Sequence, residues 1–317
     1  FIEEYGIAQI SMNLTNINIT PLHIAFDTAV ERAHARGMRV TGSELVGLVP
    51  LKSMIDAGKY FLQKQRRSVG VSEEEIIRIA IKSMGLDELT PFDPKKKIIE
   101  YVMNDGQAKR LIDMNLVAFA NETASESPAP GGGSISAYVA SLGASLGTMV
   151  ANLSSHKKGW DAQIETFSAW AEKGQTLKDD LLKLVDEDTL AFSKIMDAFS
   201  LPKNTDDEKQ ARSKAIQEAT LYATEVPLLT MKKSVACYPL IREMVNIGNP
   251  NSLSDAAVGA LCIRAAVYGA YLNVKINAGG LKDKTIAEAM VQEAKELLAM
   301  SNQEEADILK MTEEKMG

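Results

Sequence analysis

The sequence predicts a mainly α fold, in which an N-terminal partial α+β subdomain is followed by an all-helical bundle. Three observations carry this expectation. Strand-like alternation is confined to the first fifty residues, helical periodicity runs from about residue 108 to the end, and no charged residue occurs between Ser127 and His156.

The elements follow in order. Gln9, Ile10, Ser11, Met12, Asn13 and Leu14 begin an alternation over residues 9 to 19 that reads as a half-buried strand. Pro21 opens a helix to about Ala35, ended by Gly37. Arg39 to Thr41 reads as a short strand, and Leu45 to Pro50 is a more apolar segment bounded by Gly47 and Pro50. Helices near 51 to 65 and 73 to 84 complete this mixed first part. The Pro- and Lys-rich linker Leu89 to Lys97, or Asn104 to Gln107 just after it, divides the chain into domains 1–104 and 105–317. Helices are then expected near 108–121, 134–153, 161–199, 206–235, 238–246, 253–277 and 283–315.

With 317 residues, 45% hydrophobic and 24% charged, the chain has an ordinary globular composition and enough length for two cores. A formal net charge of −7 gives no general attraction to nucleic acid or an anionic membrane, so an anionic substrate must be held by local groups. Cys237 and Cys262 lie in apolar surroundings and are expected to be reduced thiols in a cytoplasmic protein. Three histidines without Cys/His spacing predict no metal site. No signal-peptide pattern precedes the first element, and the start at Phe1 suggests a piece of a longer chain.

Gly131, Gly132 and Gly133 followed by Ser134 form a turn that can expose backbone N–H groups, with Ser134 as N-cap of the next helix. A flexible hinge fits the same run. The helix from about Ile135 to Leu153 is long and apolar enough for a membrane span, yet Ser136, Ser141, Ser145, Thr148 and Asn152 are too many polar groups for lipid. Its small residues suit a central helix closely approached by others, or a subunit contact. Together with 253–277 it is apolar on more faces than a single core covers, which predicts a homo-oligomer.

Leu177, Leu181, Leu184, Asp188, Ala191, Ile195 and Ala198 form an apolar helical seam broken once by a carboxylate. Asp188 therefore faces inward, where burial raises a carboxyl pKa toward the range useful for proton transfer. A structural Asp, capping a neighbouring helix or pairing with a lysine, fits the position too. Asp186, two residues away, is read as off that seam. On a second apolar helix, Asn273 and Asn277 are spaced to act as paired amides toward a planar heterocycle, while Asp255 lies roughly 27 Å away from Asn273 at 1.5 Å per residue. Ser252 or Ser254 is the expected N-cap of that helix. His156, Lys157 and Lys158 at a helix end, and Lys203 with Asn204 in a loop, are the basic spots able to meet a carboxylate.

These motifs occur in an order that is more specific than any one of them. Ser127-Pro-Ala-Pro-Gly-Gly-Gly-Ser134, Val185-Asp-Glu-Asp188 with Phe192, Leu201-Pro-Lys-Asn-Thr205, Val226-Pro227-Leu228, Gly248-Asn249, Ser254-Asp255 and Asn273-Val-Lys-Ile-Asn277 resemble the formimidoyltetrahydrofolate cyclodeaminase domain over essentially all of residues 108 to 317. Upstream, Gln9-Ile-Ser-Met-Asn13, His23 and Ser43-Glu-Leu-Val-Gly-Leu-Val-Pro-Leu51 look like the C-terminal subdomain of glutamate formimidoyltransferase. The pair resembles the bifunctional formimidoyltransferase-cyclodeaminase family.

The resemblance implies a helical enzyme that closes the formimino group of 5-formiminotetrahydrofolate onto N10, expels ammonia and leaves 5,10-methenyltetrahydrofolate. A tetrahydrofolate derivative is then substrate, no cofactor is bound, and the assembly is a dimer or a larger ring. Asp188 matches the family's proton-donor position. Gly131, Gly132, Gly133, Ser134, Lys203, Asn204, Asp255, Asn273 and Asn277 become substrate-binding candidates. The transferase's catalytic histidine belongs to a subdomain that nothing here matches, so transferase activity is not carried over, and His23 is expected to pack or cap. The competing readings are a methenyltetrahydrofolate cyclohydrolase and a non-catalytic helical assembly domain.

Overall fold

The computed structural model describes residues 1–104 and 110–317, and among the described residues no strand is formed. Two compact units divide at residues 107 and 108. The expected α+β character of the N-terminal part is thereby corrected. Residues 9–19 are coil with Ile10, Met12 and Ile19 exposed, residues 39–41 are coil, and β contact is limited to the single bridges Ile2–Ile7 and Val49–Ile98. Alternating side chains create two faces, but a strand also needs a partner for its N–H and C=O groups, and no neighbouring segment here provides one.

The first unit is built on α1 (Leu22–His34), α2 (Leu51–Lys64) and α3 (Glu73–Met84), with the short helices α4 (Pro94–Lys97) and α5 (Ile99–Asn104). Helices α2 and α3 bury Met54, Ala57, Phe61, Ile77, Ala80 and Met84 between them. Ser72 caps α3, and Gly85 ends it at φ 58°, a left-handed position suited to glycine. Helix α2 starts after Pro50 without a side-chain cap of its own; instead Glu100 of α5 accepts the Leu51 N–H at 2.7 Å. His23 is buried against the Tyr60 ring, at 4.5 Å between centroids, and burial pushes its pKa down. It packs, as expected.

The second unit contains α6 (Leu116–Thr123), α7 (Gly132–Ser155), α8 (Ile164–Ser200), α9 (Asp206–Val235), α10 (Tyr238–Ile247), α11 (Leu253–Ala278) and α12 (Lys284–Met316). The expected helix 108–121 begins at residues 108 and 109, outside the described residues, as do 105–107 of the second candidate boundary. Its remainder is a 3-10 turn at Leu111–Asp113 followed by α6. Helix α7 is central and packs chiefly against α8 and α11. Its side chains are small where those helices approach. Gly143 lies so close to α11 that a Cβ there would stand 2.8 Å from the Gly259 carbonyl oxygen. The α8 seam is formed as read, with Leu177, Leu181, Leu184, Ala191 and Ala198 buried in the core.

Helix α9 carries Pro227 in its interior, where proline removes the N–H that would bond the carbonyl four residues earlier. That carbonyl belongs to Ala223, and Asn277 Nδ2 of α11 donates to it at 2.6 Å. The two helices are joined at the gap the proline makes. Helices α7 and α11 are long and apolar enough to cross a membrane by length and composition, but α7 buries 61% of its most apolar window inside the unit. Among the apolar side chains that remain exposed, Leu142, Met149 and Leu153 line α7, and Leu261, Tyr268, Leu272 and Ile276 line α11.

Candidate functional site

Helix α7 starts two residues before the expected position: Gly131 is the N-cap and Ser134 the third helical residue, and no side chain of α7 caps its own amides. The Ser134 N–H, left unsatisfied by helix geometry, donates instead to Asp188 Oδ2 at 2.8 Å. Ser134 Oγ lies 3.0 Å from the same oxygen and 2.9 Å from the Val185 carbonyl oxygen, both potential acceptors of its single hydrogen. Asp188 of α8 thus caps α7 from outside. The carboxylate that caps the neighbouring helix is also the polar break in the α8 seam.

Gly133 is the reason the carboxylate fits. A Cβ on this residue would fall inside the Asp188 carboxyl group, with Oδ2 at 2.7 Å, so the glycine is required by close approach and not as a hinge. A Cβ on Gly132 would stand 3.3 Å from Asn273 Nδ2, which places the Asn273 amide of α11 beside the same turn. Asn273 Nδ2 donates to the Gly269 carbonyl at 2.9 Å, leaving its Oδ1 as an acceptor. Three helices therefore meet at one point: the α7 N-terminus with Gly131, Gly132, Gly133 and Ser134, Asp188 from α8 and Asn273 from α11. Burial pushes the Asp188 carboxyl above the ordinary range, and the two bonds from Ser134 pull it back in part. Oδ1 accepts no hydrogen bond among the described residues and lies against Gly133.

The other candidates lie apart. Asn277 is one turn past Asn273, and one N–H of its amide donates to the Ala223 carbonyl, leaving its second N–H and its Oδ1 outside that bond. Lys203 and Asn204 lie in the loop after α8, which ends twelve residues, about 18 Å, beyond Asp188. The Asn204 N–H donates to Glu208 Oε2 at 2.7 Å, beside the capping box that Thr205 and Glu208 form for α9. Asp255 stands in the first turn of α11, about five turns from Asn273. Ser252 is the N-cap of that helix, without a side-chain bond. At the other basic spot, Lys157 Nζ lies 4.1 Å from the centre of the Trp160 ring.

Asp186, read as off the Asp188 seam, is not left in solvent. It is half-buried, accepts the Leu111 N–H on Oδ1 at 2.6 Å, has a buried Oδ2 without a partner among the described residues, and its pKa is raised by burial. It is off the seam that carries Asp188, but the 111–113 turn covers that side of α8. The clamp on Asp188 by Ser134 and the bond from Asn277 to Ala223 were not foreseen. Pro227 inside a helical run was the signal for the second. Among the described residues no group of three His, Cys, Asp or Glu side chains converges as a metal-ligand set.

Two outcomes follow from this geometry. Gly133→Ala should displace the Asp188 carboxylate and lower ligand affinity or turnover by at least tenfold with helical content preserved by circular dichroism; a fully active variant would show that the contact is unimportant. Asp188→Asn should unfold at a higher temperature than the parent at pH 7. A carboxyl with a raised folded pKa contributes stability that is present below the unfolded value of about 3.9 and lost as pH rises through the folded value. The gain should therefore shrink on acidification, and melting curves at a series of pH values check it.

Comparison with known proteins agrees with this architecture. A family model described as formiminotransferase-cyclodeaminase matches residues 115–296, and a formiminotransferase domain model matches residues 1–104. A formimidoyltransferase-cyclodeaminase from Mus musculus is 38% identical over 95% of this chain and 57% of its own length. The chain thus spans little more than half of such relatives. A methenyltetrahydrofolate cyclohydrolase from Methylorubrum extorquens is 39% identical over 57% of this chain and 87% of its own. The crystal structure of formiminotetrahydrofolate cyclodeaminase from Thermotoga maritima superposes with a TM-score of 0.58 at 25% identity, covering 66% of this chain and 100% of that one. With its three-helix junction built on the matched segment, the chain belongs to the formiminotransferase-cyclodeaminase family.

Proposed function

We propose that the second unit is a formimidoyltetrahydrofolate cyclodeaminase, an ammonia lyase that converts 5-formiminotetrahydrofolate to 5,10-methenyltetrahydrofolate. The observation that carries this reading is the half-buried Asp188, fixed through Oδ2 and with Oδ1 left without a hydrogen bond against Gly133, beside the glycine turn and Asn273. The chemistry asks for one group that takes a proton and returns it. With the formimino nitrogen entering as the amidinium, N10 attacks the carbon, Asp188 Oδ1 takes the N10 proton and delivers it to the leaving nitrogen, and the bond to that nitrogen breaks. A cation enters, and the methenyl cation and neutral ammonia leave. Folate is the substrate, and no resident cofactor takes part. Burial raises the Asp188 carboxyl pKa, which favours its taking up the N10 proton.

A second reading is favoured by the cyclohydrolase relative: the same site would open the methenyl bridge with water in place of ammonia. Ammonia release from 5-formiminotetrahydrofolate, compared with hydrolysis of 5,10-methenyltetrahydrofolate, separates the two. Absence of both reactions would leave a helical assembly domain. On the first reading, Asp188→Asn should lower kcat by about 10² to 10⁴ with KM little changed. Asp197→Asn, exposed near the end of α8, is the control. Equal turnover in parent and Asp188→Asn would make Asp188 a structural cap only.

The partner of the second unit is read as another copy of the chain. The exposed apolar side chains on α7 and α11 support this, and Leu272 and Ile276 flank Asn273, so a partner covering α11 would close the site from one side. Light scattering at micromolar concentration should give at least a dimer; a clean monomer would refute it.

A further inference from the structure

We infer that Ser134 is the positioning residue for Asp188, fixing which carboxyl oxygen exchanges protons and stabilising the ionised form through a hydroxyl that turns with the charge. The inference rests on the reading of Asp188 as the proton-exchanging group. Ser134 is fully buried, and its backbone N–H points at Asp188 Oδ2 at 2.8 Å. A backbone N–H inside a helix cannot turn away. Oδ2 must therefore remain an acceptor whether or not the carboxyl is protonated, and the proton resides on Oδ1.

The hydroxyl adds a second control. Its one hydrogen has two acceptors at nearly equal distance, Asp188 Oδ2 at 3.0 Å and the Val185 carbonyl at 2.9 Å, with Thr189 Oγ1 more remote at 3.4 Å. An ionised carboxylate is the stronger acceptor, so the hydroxyl faces Oδ2 while Asp188 is charged. Once Oδ1 holds a proton, the advantage of Oδ2 falls and the Val185 carbonyl competes. The hydrogen swings between the two without moving a heavy atom. A bond that strengthens in the charged state lowers the pKa, and this opposes the upward push of burial.

No charged side chain substitutes for it. Helix α7 carries no Asp, Glu, Lys or Arg, and Tyr138 is its one ionisable group. On α8, Asp186 is turned to Leu111 and Glu187 lines the groove between α8 and α9. Lys232 and Lys233 of α9 line that same groove and pair with Glu293 and Asp180. On α11, Asn273 is neutral and Lys275 is exposed.

The test follows the Asp188 carboxyl itself. In protein labelled with ¹³C-aspartate, the Asp188 carboxyl resonance is assigned by its loss in Asp188→Asn and titrated in the parent, Ser134→Ala and Ser134→Cys; kcat and kcat/KM are measured over the same pH range. Removing the hydroxyl should raise the carboxyl titration and the acid limb of kcat/KM together, by about one pH unit. Above the shifted limb KM should stay near the parent value. Ser134→Cys keeps the volume with a weak S–H donor and should move in the same direction, so it carries the comparison if Ser134→Ala does not fold. An unshifted carboxyl titration in a folded variant overturns the inference, as does a loss of activity with an unmoved acid limb. If the parent shows no turnover, the proposed activity fails, while the carboxyl titration still decides the role of Ser134.

Discussion

The contact on which the rest of this molecule depends is the capping of α7 by a carboxylate from another helix. An α-helix leaves its first amides unsatisfied, and α7 begins with two glycines after a glycine N-cap, which offer no side chain to answer them. Asp188 answers one from α8, which obliges α8 to lie against the α7 N-terminus and Gly133 to carry no Cβ. The small residues farther along α7 continue the same requirement, letting α8 and α11 approach at the depth the cap sets. Fold and site share one contact, so neither can vary without the other.

That contact also balances the charge. Withdrawing a carboxyl from water favours its neutral form, whereas a helix N-terminus contributes about 0.3 to 1 kcal/mol toward the anion, and hydrogen bonds to a charged group about 1.5 to 3 kcal/mol each. Burial prevails at Asp188, and its pKa remains raised. The result is a group that neither water nor a salt bridge holds permanently ionised. Closing an amidine with loss of ammonia and opening a methenyl bridge with water both call for a group of this kind. Under the proposed function the carboxylate would move the proton in either reaction, and the choice between nucleophiles would fall to the neutral groups around it, the Asn273 amide beside the glycine turn among them.

Much of the helical unit was legible in the sequence because its signals are local. The limits of α9 coincide with those read from its helical periodicity, and the α8 seam turned Asp188 inward before any neighbour was known. What failed depended on a second segment. Residues 9–19 have the side-chain alternation of a strand, but pairing is a property of two chains' backbones and cannot be read from one. Ser134 has the chemistry of an N-cap, yet the helix starts at Gly132 and places Ser134 within its first turn, where an external carboxylate takes its own N–H and its hydroxyl meets Val185 and Asp188. Asp186 faces away from one seam only to meet the 111–113 turn, which has no periodicity of its own to announce where it packs.

The joint between α9 and α11 bears on how the chain is completed during synthesis. Ala223 has a carbonyl that its own helix can never satisfy, because residue 227 is proline, and the amide that satisfies it lies 54 residues farther on. As the polypeptide emerges, the middle of α9 stays open to water until α11 has followed it. A product cut short before Asn277 would leave the Ala223 carbonyl bare, and the middle of α9 becomes fully bonded only when enough chain exists to assemble the junction.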